Sequence, residues 1–172
     1  GSGASTNTLN LATAANATVT RQRGATVNLV EDQGAGGSSV ANIRLAGTGV
    51  TVGQRVGSWA TYGTNLYGGA YTWAATDSLS NVVEFADSSY SATFGAGAHL
   101  QVDGSQALTV GDDAAASLRY TNAVAMNLGG YSLNVAEGGV LVTPTVSGGM
   151  AAITNGALTS SGGELIIHNY AD

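Results

Sequence analysis

Carboxylates are the first side chains to weigh, because two of them facing each other across a groove suffice for acid–base cleavage of a glycosidic bond. Three local groups qualify by residue type: Glu31 with Asp32, Glu84 with Asp87, and Asp112 with Asp113. Neighbours in an extended chain point to opposite faces, so Asp112 and Asp113 share a site only if Gly-Asp-Asp-Ala-Ala-Ala forms a turn. With Arg119 nearby, they are the candidates for a polysaccharide lyase or hydrolase. The bland alternative is a set of solvated corners, in keeping with the strong preference of carboxylates for exposure. Gly111-Asp112-Asp113 and Val102-Asp103-Gly104-Ser105 offer two or three oxygen ligands, enough for a weak calcium site and not for a structural one. His99 and His168 lie in strand-like runs, and the chain has no Gly-x-Ser-x-Gly nucleophile elbow to partner them. They read as structural, and neither a catalytic site, a metal site nor a cofactor is expected.

The aromatic side chains point to recognition. Trp59, Tyr62, Tyr67, Tyr71 and Trp73 fall within fifteen residues. Exposed, such rings stack on sugar faces and would make a carbohydrate-binding module; buried, they plug a core. Exposure of Trp59 and Trp73 separates the two readings.

Composition narrows the choice. Charged residues make up 9 % of the 172-residue chain, against roughly 25 % in ordinary soluble domains. The formal net charge of −6 provides no basic field for phosphate backbones, so nucleic acid is not an expected partner. All basic residues are arginine, which excludes Schiff-base lysines and a Walker phosphate loop. The absence of cysteine excludes disulfides, thiol catalysis and Cys-based zinc sites. No apolar run approaches the length of a membrane span, so membrane insertion is not expected of this segment. With no basic start and no apolar core near Gly1, the sequence also lacks a secretion signal and reads as a fragment or processed subunit of something longer.

The elements that would position these side chains are strands. Short apolar runs recur every six to ten residues from Ser117 onward (Met-Asn-Leu, Tyr-Ser-Leu-Asn-Val, Gly-Val-Leu-Val-Thr, Ala-Ala-Ile-Thr, Gly-Ala-Leu, Glu-Leu-Ile-Ile-His), separated by Gly, Ser, Asn and Thr. Each suits one strand and is too short for a helix. Period-two patterns earlier in the chain add Thr-Leu-Asn-Leu-Ala-Thr, Ala-Thr-Val-Thr-Arg, Ala-Thr-Val-Asn-Leu-Val, Val-Ala-Asn-Ile-Arg-Leu and Gly-Val-Thr-Val-Gly-Gln-Arg-Val-Gly. Glu31 to Ser39 reads as a surface loop, and Asp112 to Ser117 has room for one helical turn. Regular punctuation with little charge predicts an all-β chain coiling on itself, a β-solenoid spanning 1–172 as a single segment. At about 22 residues per rung this gives seven or eight rungs. Asn127, Asn155 and Asn169 are placed to stack at corners on a neighbour in the next rung. An uncapped end exposes strand edges and invites end-to-end association with an identical copy.

Three stretches carry a family resemblance: Trp-Ala-Thr-Tyr-Gly through Tyr-Thr-Trp-Ala-Ala-Thr-Asp to Ser-Ser-Tyr, then Ser117 to Pro144 with its Ser-Leu-Arg, Asn-Leu-Gly-Gly and Gly-Gly-Val-Leu-Val, then Ile153 to Asn169. Gly57 to Asn169 thereby resembles the autotransporter-associated β-strand repeat, also called the passenger-associated transport repeat. The resemblance implies a right-handed parallel β-helix from a large secreted or surface-displayed bacterial protein. It also implies a structural rather than enzymatic role in the exported passenger; surface polysaccharide is the partner the aromatic cluster would take. No C-terminal membrane β-barrel accompanies it, so fibre assembly and adhesion stay open.

Overall fold

The computed structural model describes residues 5–11, 18–31, 39–47, 50–63, 71–104, 106–108 and 111–171. Apart from one 3-10 turn at Asp87–Ser89, every regular element among them is a strand, so the fold is all-β. The chain divides into two compact units, Gly1–Phe85 and Ala86–Asp172.

The first unit contains β1 (Ser5–Leu11), β2 (Val27–Val30), β3 (Ser39–Leu45), β4 (Ala60–Gly63), β5 (Thr72–Thr76) and β6 (Val82–Glu84). β1 pairs with β3, and β2 with β4, both in parallel. β4–β5 and β5–β6 are antiparallel, so this unit mixes the two pairings and departs from the uniformly parallel expectation. The β5–β6 reversal is made by a compact Asp77 turn. The Asp77 carboxylate accepts the Leu79 and Asn81 amides and the Asn81 side-chain amide, each at 2.8 Å. That local cap lets β6 fold straight back, which no long-range parallel return could match in so few residues. Leu29, Ile43, Leu45, Val56, Ala60, Ala74 and Val82 form its core. Two expected strands are missing. Thr18 keeps a single bridge position in Ala-Thr-Val-Thr-Arg, and the Val50 to Gly57 run turns where the Gln54 amide bonds the Thr51 carbonyl at 3.2 Å. The end of that run meets β5 only at one antiparallel bridge, Arg55 to Ala75, with the Val56 amide on the Ala74 carbonyl at 2.8 Å, and propensity alone does not extend it into a ladder.

The second unit holds β7 (Tyr90–Ser91), β8 (His99–Val102), β9 (Asp113–Tyr120), β10 (Ala125–Asn127), β11 (Ser132–Val142), β12 (Ala152–Thr154), β13 (Ala157–Thr159) and β14 (Ile166–Asn169). All its named strand pairings are parallel, in three series. Tyr90, His99, Ser117, Gly139 and Ile166 stand in register along β7–β8–β9–β11–β14. The first half of β11 lies between the start of β9 and β13. β10 pairs with β12, extended by a bridge from Ala107 to Asn127. Partners in these series lie 18 residues apart at His99–Ser117 and 27 apart at Gly139–Ile166.

Side chains within a parallel column share one face, so apolar positions stack into the core. Leu100, Leu118 and Val140 form one such column, and Val102 and Tyr120 begin the next. Met126, Leu128, Leu133 and Val135 close the core from the other two series. Each fully enclosed aliphatic side chain contributes about 1.5–3 kcal/mol. The stretch after Asp112 is strand rather than helix: Ala114 and Ala115 pair with Asn134 and Val135, and the small, buried side chains of Ala115 and Ala116 admit close packing. Tertiary pairing overrides the helix preference of alanine. The two apolar runs around Ala136 join into one eleven-residue strand, with a register shift between Val135 and Gly139. Polar side chains bind neighbouring turns: the Asn155 amide donates to Asn127 Oδ1 at 3.3 Å, the corner stacking expected of those residues. Thr143 and Thr145 hydroxyls donate to the carbonyls of Tyr120 and Thr121 at 2.9 and 2.8 Å.

Candidate functional site

The aromatic residues of the first unit are spread over different environments. Thr61 on β4 faces Trp73 on β5, and Tyr62 faces Thr72. Because neighbouring positions alternate in direction, Tyr62 and Trp73 occupy opposite faces of the sheet. Trp73 is fully enclosed, with the Arg55 guanidinium 5.1 Å from its ring centroid. Arg55 also donates to Ser58 Oγ at 3.2 Å. This ring therefore offers no face to a ligand, and its cation–π contact ties the Arg55 turn to β5.

Tyr62 is half-buried, and its hydroxyl donates to Glu31 Oε2 at 3.0 Å, while Glu31 Oε1 accepts the Ile43 amide at 3.1 Å. Glu31 thus joins β4 to β3 through one carboxylate. Burial, then the Glu31 hydrogen bond and the negative charges of Glu31 and Glu84, hold the Tyr62 phenol above the ordinary tyrosine range. Tyr71 is exposed. Tyr67 and Asp32 lie outside the described residues.

Trp59 is partly buried and borders a cleft. It lines an apolar cleft of about 320 Å³ with Leu11, Val27, Leu29 and Leu45. An adjoining cleft of about 340 Å³ adds Arg21 and Gln22 at its border. The pair can admit a flat apolar group, with Trp59 as one wall. The four described rings, Trp59, Tyr62, Tyr71 and Trp73, do not make one stacking platform.

In the second unit Asp112 and Asp113 are bound to backbone. Asp112 Oδ1 accepts the Ser132 amide at 2.7 Å, and Asp113 Oδ1 accepts the Ala114 amide at the same distance. Asp113 and Arg119 stand near opposite ends of β9, roughly 20 Å apart along an extended strand, so they do not meet across one groove. Arg119 is instead nearly buried under the ring of Tyr90, 3.6 Å from its centroid. Its Nη2 contacts Asp87 Oδ1 at 2.8 Å and Gln101 Oε1. Glu84 ends β6 in the first unit and is exposed.

One pairing of chemically active groups was not legible in sequence. His99 Nδ1 lies 2.9 Å from Ser117 Oγ, across neighbouring strands. The two residues occupy matching register positions, a relation set by turn lengths rather than by any motif. Ser117 is fully enclosed, so the imidazole fixes a hydroxyl inside the fold rather than activating one toward solvent. His168 is buried and stacks on Tyr170, with ring centroids 6.4 Å apart. Neither histidine belongs to a group of three or more His, Cys, Asp or Glu able to hold a metal ion among the described residues. The polar chemistry of this unit is therefore mostly internal: hydroxyls, amides and carboxylates tie one turn to the next.

No protein-family model, curated protein or solved structure matches this chain.

Proposed function

We propose that the chain is a non-enzymatic structural segment of a bacterial secreted or cell-surface protein, a right-handed parallel β-helix serving as scaffold in an autotransporter-like passenger. The observation that carries this reading is the repeated parallel register from Tyr90 through His99, Ser117 and Gly139 to Ile166, with two further parallel series beside it. A chain that returns to the same face at each turn and stacks aliphatic columns inside makes a rung-on-rung coil. Parallel returns within one sheet are right-handed in nearly all folds, which supports the handedness. The antiparallel β4–β5–β6 segment is an excursion from the coil.

Such a coil works mechanically. Each rung templates the next, backbone ladders resist extension, and a surface of Thr, Ser, Asn and Gly with 9 % charge adheres weakly to polyelectrolytes. The absence of a joint Asp113–Arg119 groove argues in the same direction. A carbohydrate-binding role is the second reading, and it rests on the Trp59 cleft.

Display upstream of an outer-membrane β-barrel carrier, with an epitope at the leading end, tests the scaffold role. The epitope is expected at the cell surface, followed by a protease-resistant core. Retention in the periplasm as a protease-sensitive chain would refute it. Release of sugar ends from an acidic polysaccharide, lost in both Asp113→Ala and Arg119→Ala, would replace it with an enzymatic reading. Glycan binding lost in Trp59→Ala would favour the binding module.

A further inference from the structure

We infer that the cleft between Trp59 and the Val19–Val27 turn seats one acidic sugar unit, its pyranose face on the indole and its carboxylate on Arg21. The assignment rests on the carbohydrate-binding reading above and names the ligand class of that same site.

The indole is placed before any ligand arrives. The Val27 amide donates to the Trp59 carbonyl at 2.9 Å, and Val27 stands opposite Ala60 in the parallel β2–β4 register. Gly57 lets the ring lie along the backbone: a Cβ there would stand 2.7 Å from Nε1 and 3.0 Å from Cδ1. A larger residue at position 57 would push the ring aside. Trp73 is enclosed, whereas Trp59 is partly buried, packs against the first core and still lines the cleft.

The rest of the cleft is a turn that carries hydrogen-bonding side chains. Thr20, Gln22 and Thr26 are exposed and line it together with Arg21. The Ala25 amide closes the turn on the Gln22 carbonyl at 3.0 Å, with Gly24 at φ +83. Arg21 folds back over it, Nη1 donating to the carbonyls of Ala25 at 3.2 Å and Gln22 at 3.4 Å. Those bonds fix the guanidinium at the cleft border, and its planar fork of five N–H donors matches a carboxylate.

Charge points the same way. The chain carries a net −6, yet Arg21 and Arg23 stand in a stretch, Gly1 to Val30, that has no Asp or Glu. Glu31, next in sequence, is held by the Tyr62 hydroxyl and the Ile43 amide. The sequence neighbours of the turn, residues 12–17 included, therefore have no acid to lay on Arg21. An aromatic face for ring CH groups, hydroxyl and amide side chains for ring hydroxyls, and a fixed guanidinium for a carboxylate are the contacts of a uronic or sialic acid unit. The cleft volume of about 340 Å³ lies at the small end of ligand pockets, which suits a single sugar unit.

Isothermal titration calorimetry of the full chain with oligogalacturonate, oligoglucuronate and sialyllactose, each beside its methyl ester, tests this. At least one acidic sugar is expected to bind more tightly than its uncharged ester. Arg21→Gln should weaken that binding by about 10- to 100-fold, the worth of a charge-assisted hydrogen bond, and leave ester binding unchanged. Arg23→Gln removes the same charge from a residue that does not line the cleft, so an equal loss there would mean a diffuse field and overturn the seat. Trp59→Ala should abolish binding, with circular dichroism as the folding check. In the wild type, sugar-induced amide shifts should centre on Val19–Val27 and Trp59, and shifts centred elsewhere would overturn the site. Esters that bind as tightly as the acids overturn the acid assignment alone. No binding of any sugar to the folded chain overturns the carbohydrate reading with it.

Discussion

Replacing Gly138 by alanine directly tests the packing of β11 against the segment that leads into β14. Gly138 sits in the irregular stretch of β11, with φ +75. A Cβ there would overlap the Glu164 carbonyl oxygen of the following turn and come within 3.0 Å of Ser160 Oγ. Gly130 is the control: it has φ +91, with nothing within 4 Å of an added Cβ. Alanine at left-handed φ costs about 1–2 kcal/mol, offset by about 0.4–1 kcal/mol through the less flexible unfolded chain. Gly130→Ala should therefore destabilise by about 1 kcal/mol or less. Gly138→Ala adds overpacking against backbone, typically about 1–3 kcal/mol, for a total of about 2–4 kcal/mol. At a urea dependence of about 2 kcal/mol per M, the midpoint falls by about 1–2 M for Gly138→Ala and about 0.5 M for Gly130→Ala. Urea titration followed by circular dichroism reads both. Amide exchange in β14 should accelerate in Gly138→Ala alone, because the Glu164 turn leads into that strand. Equal midpoints for the two variants would refute the claim that this turn is pressed against its successor.

The Asp77 turn should weaken in acid. Burial pushes its carboxyl up, but the Asn81 side chain, the Asn81 and Leu79 amides and the Arg44 charge outweigh it and hold the group below its ordinary value. The folded chain then binds this proton less readily than the unfolded one, so the contribution is present above the unfolded value and is lost as pH falls through the folded one. Asp77→Ala should cost about 1–2 kcal/mol at neutral pH and flatten the acid limb of a stability–pH curve. Arg119→Ala should cost about 2–3 kcal/mol, mainly through lost packing and the Tyr90 ring contact. Asp87→Ala should cost under about 1 kcal/mol, because Asp87 is exposed and solvent screens the pair; thermal melts with and without salt check the contrast. A double-mutant cycle on Asn127→Ala and Asn155→Ala should give a coupling of about 0.5–1 kcal/mol, and a value near zero would mean that their 3.3 Å bond is structurally idle. In that cycle Asn155→Ala alone should cost more than Asn127→Ala, since Asn155 has φ 53.

Much of the strand inventory was legible because its signal is local. Period-two alternation marked β1, β2 and β3, the strand-like run at His99 is β8, and the punctuated runs after Ser117 marked β10 to β14. The same rule failed at Val50 to Gly57, where alternation is present but pairing stops at one antiparallel bridge from Arg55 to Ala75. It failed in the other sense at Ala114–Ala116, where residues that favour a helix in isolation pair with β11. The aromatic cluster was legible as a cluster in sequence only: alternation across β4 and β5 sends Tyr62 and Trp73 to opposite faces.

By itself, the sequence determined that this chain builds strands, carries little charge and lacks lysine and cysteine chemistry. These are properties of residue type and short-range spacing, and they hold in any arrangement of the strands. Only the tertiary structure decided which strands meet. The seating of His99 on Ser117, the burial of Trp73 beneath Arg55, the Arg119–Tyr90 contact and the cleft beside Trp59 all depend on register. Register is set by the number of residues in each turn and by the summed burial of whole columns. Those are cooperative quantities, and no single stretch of sequence contains them.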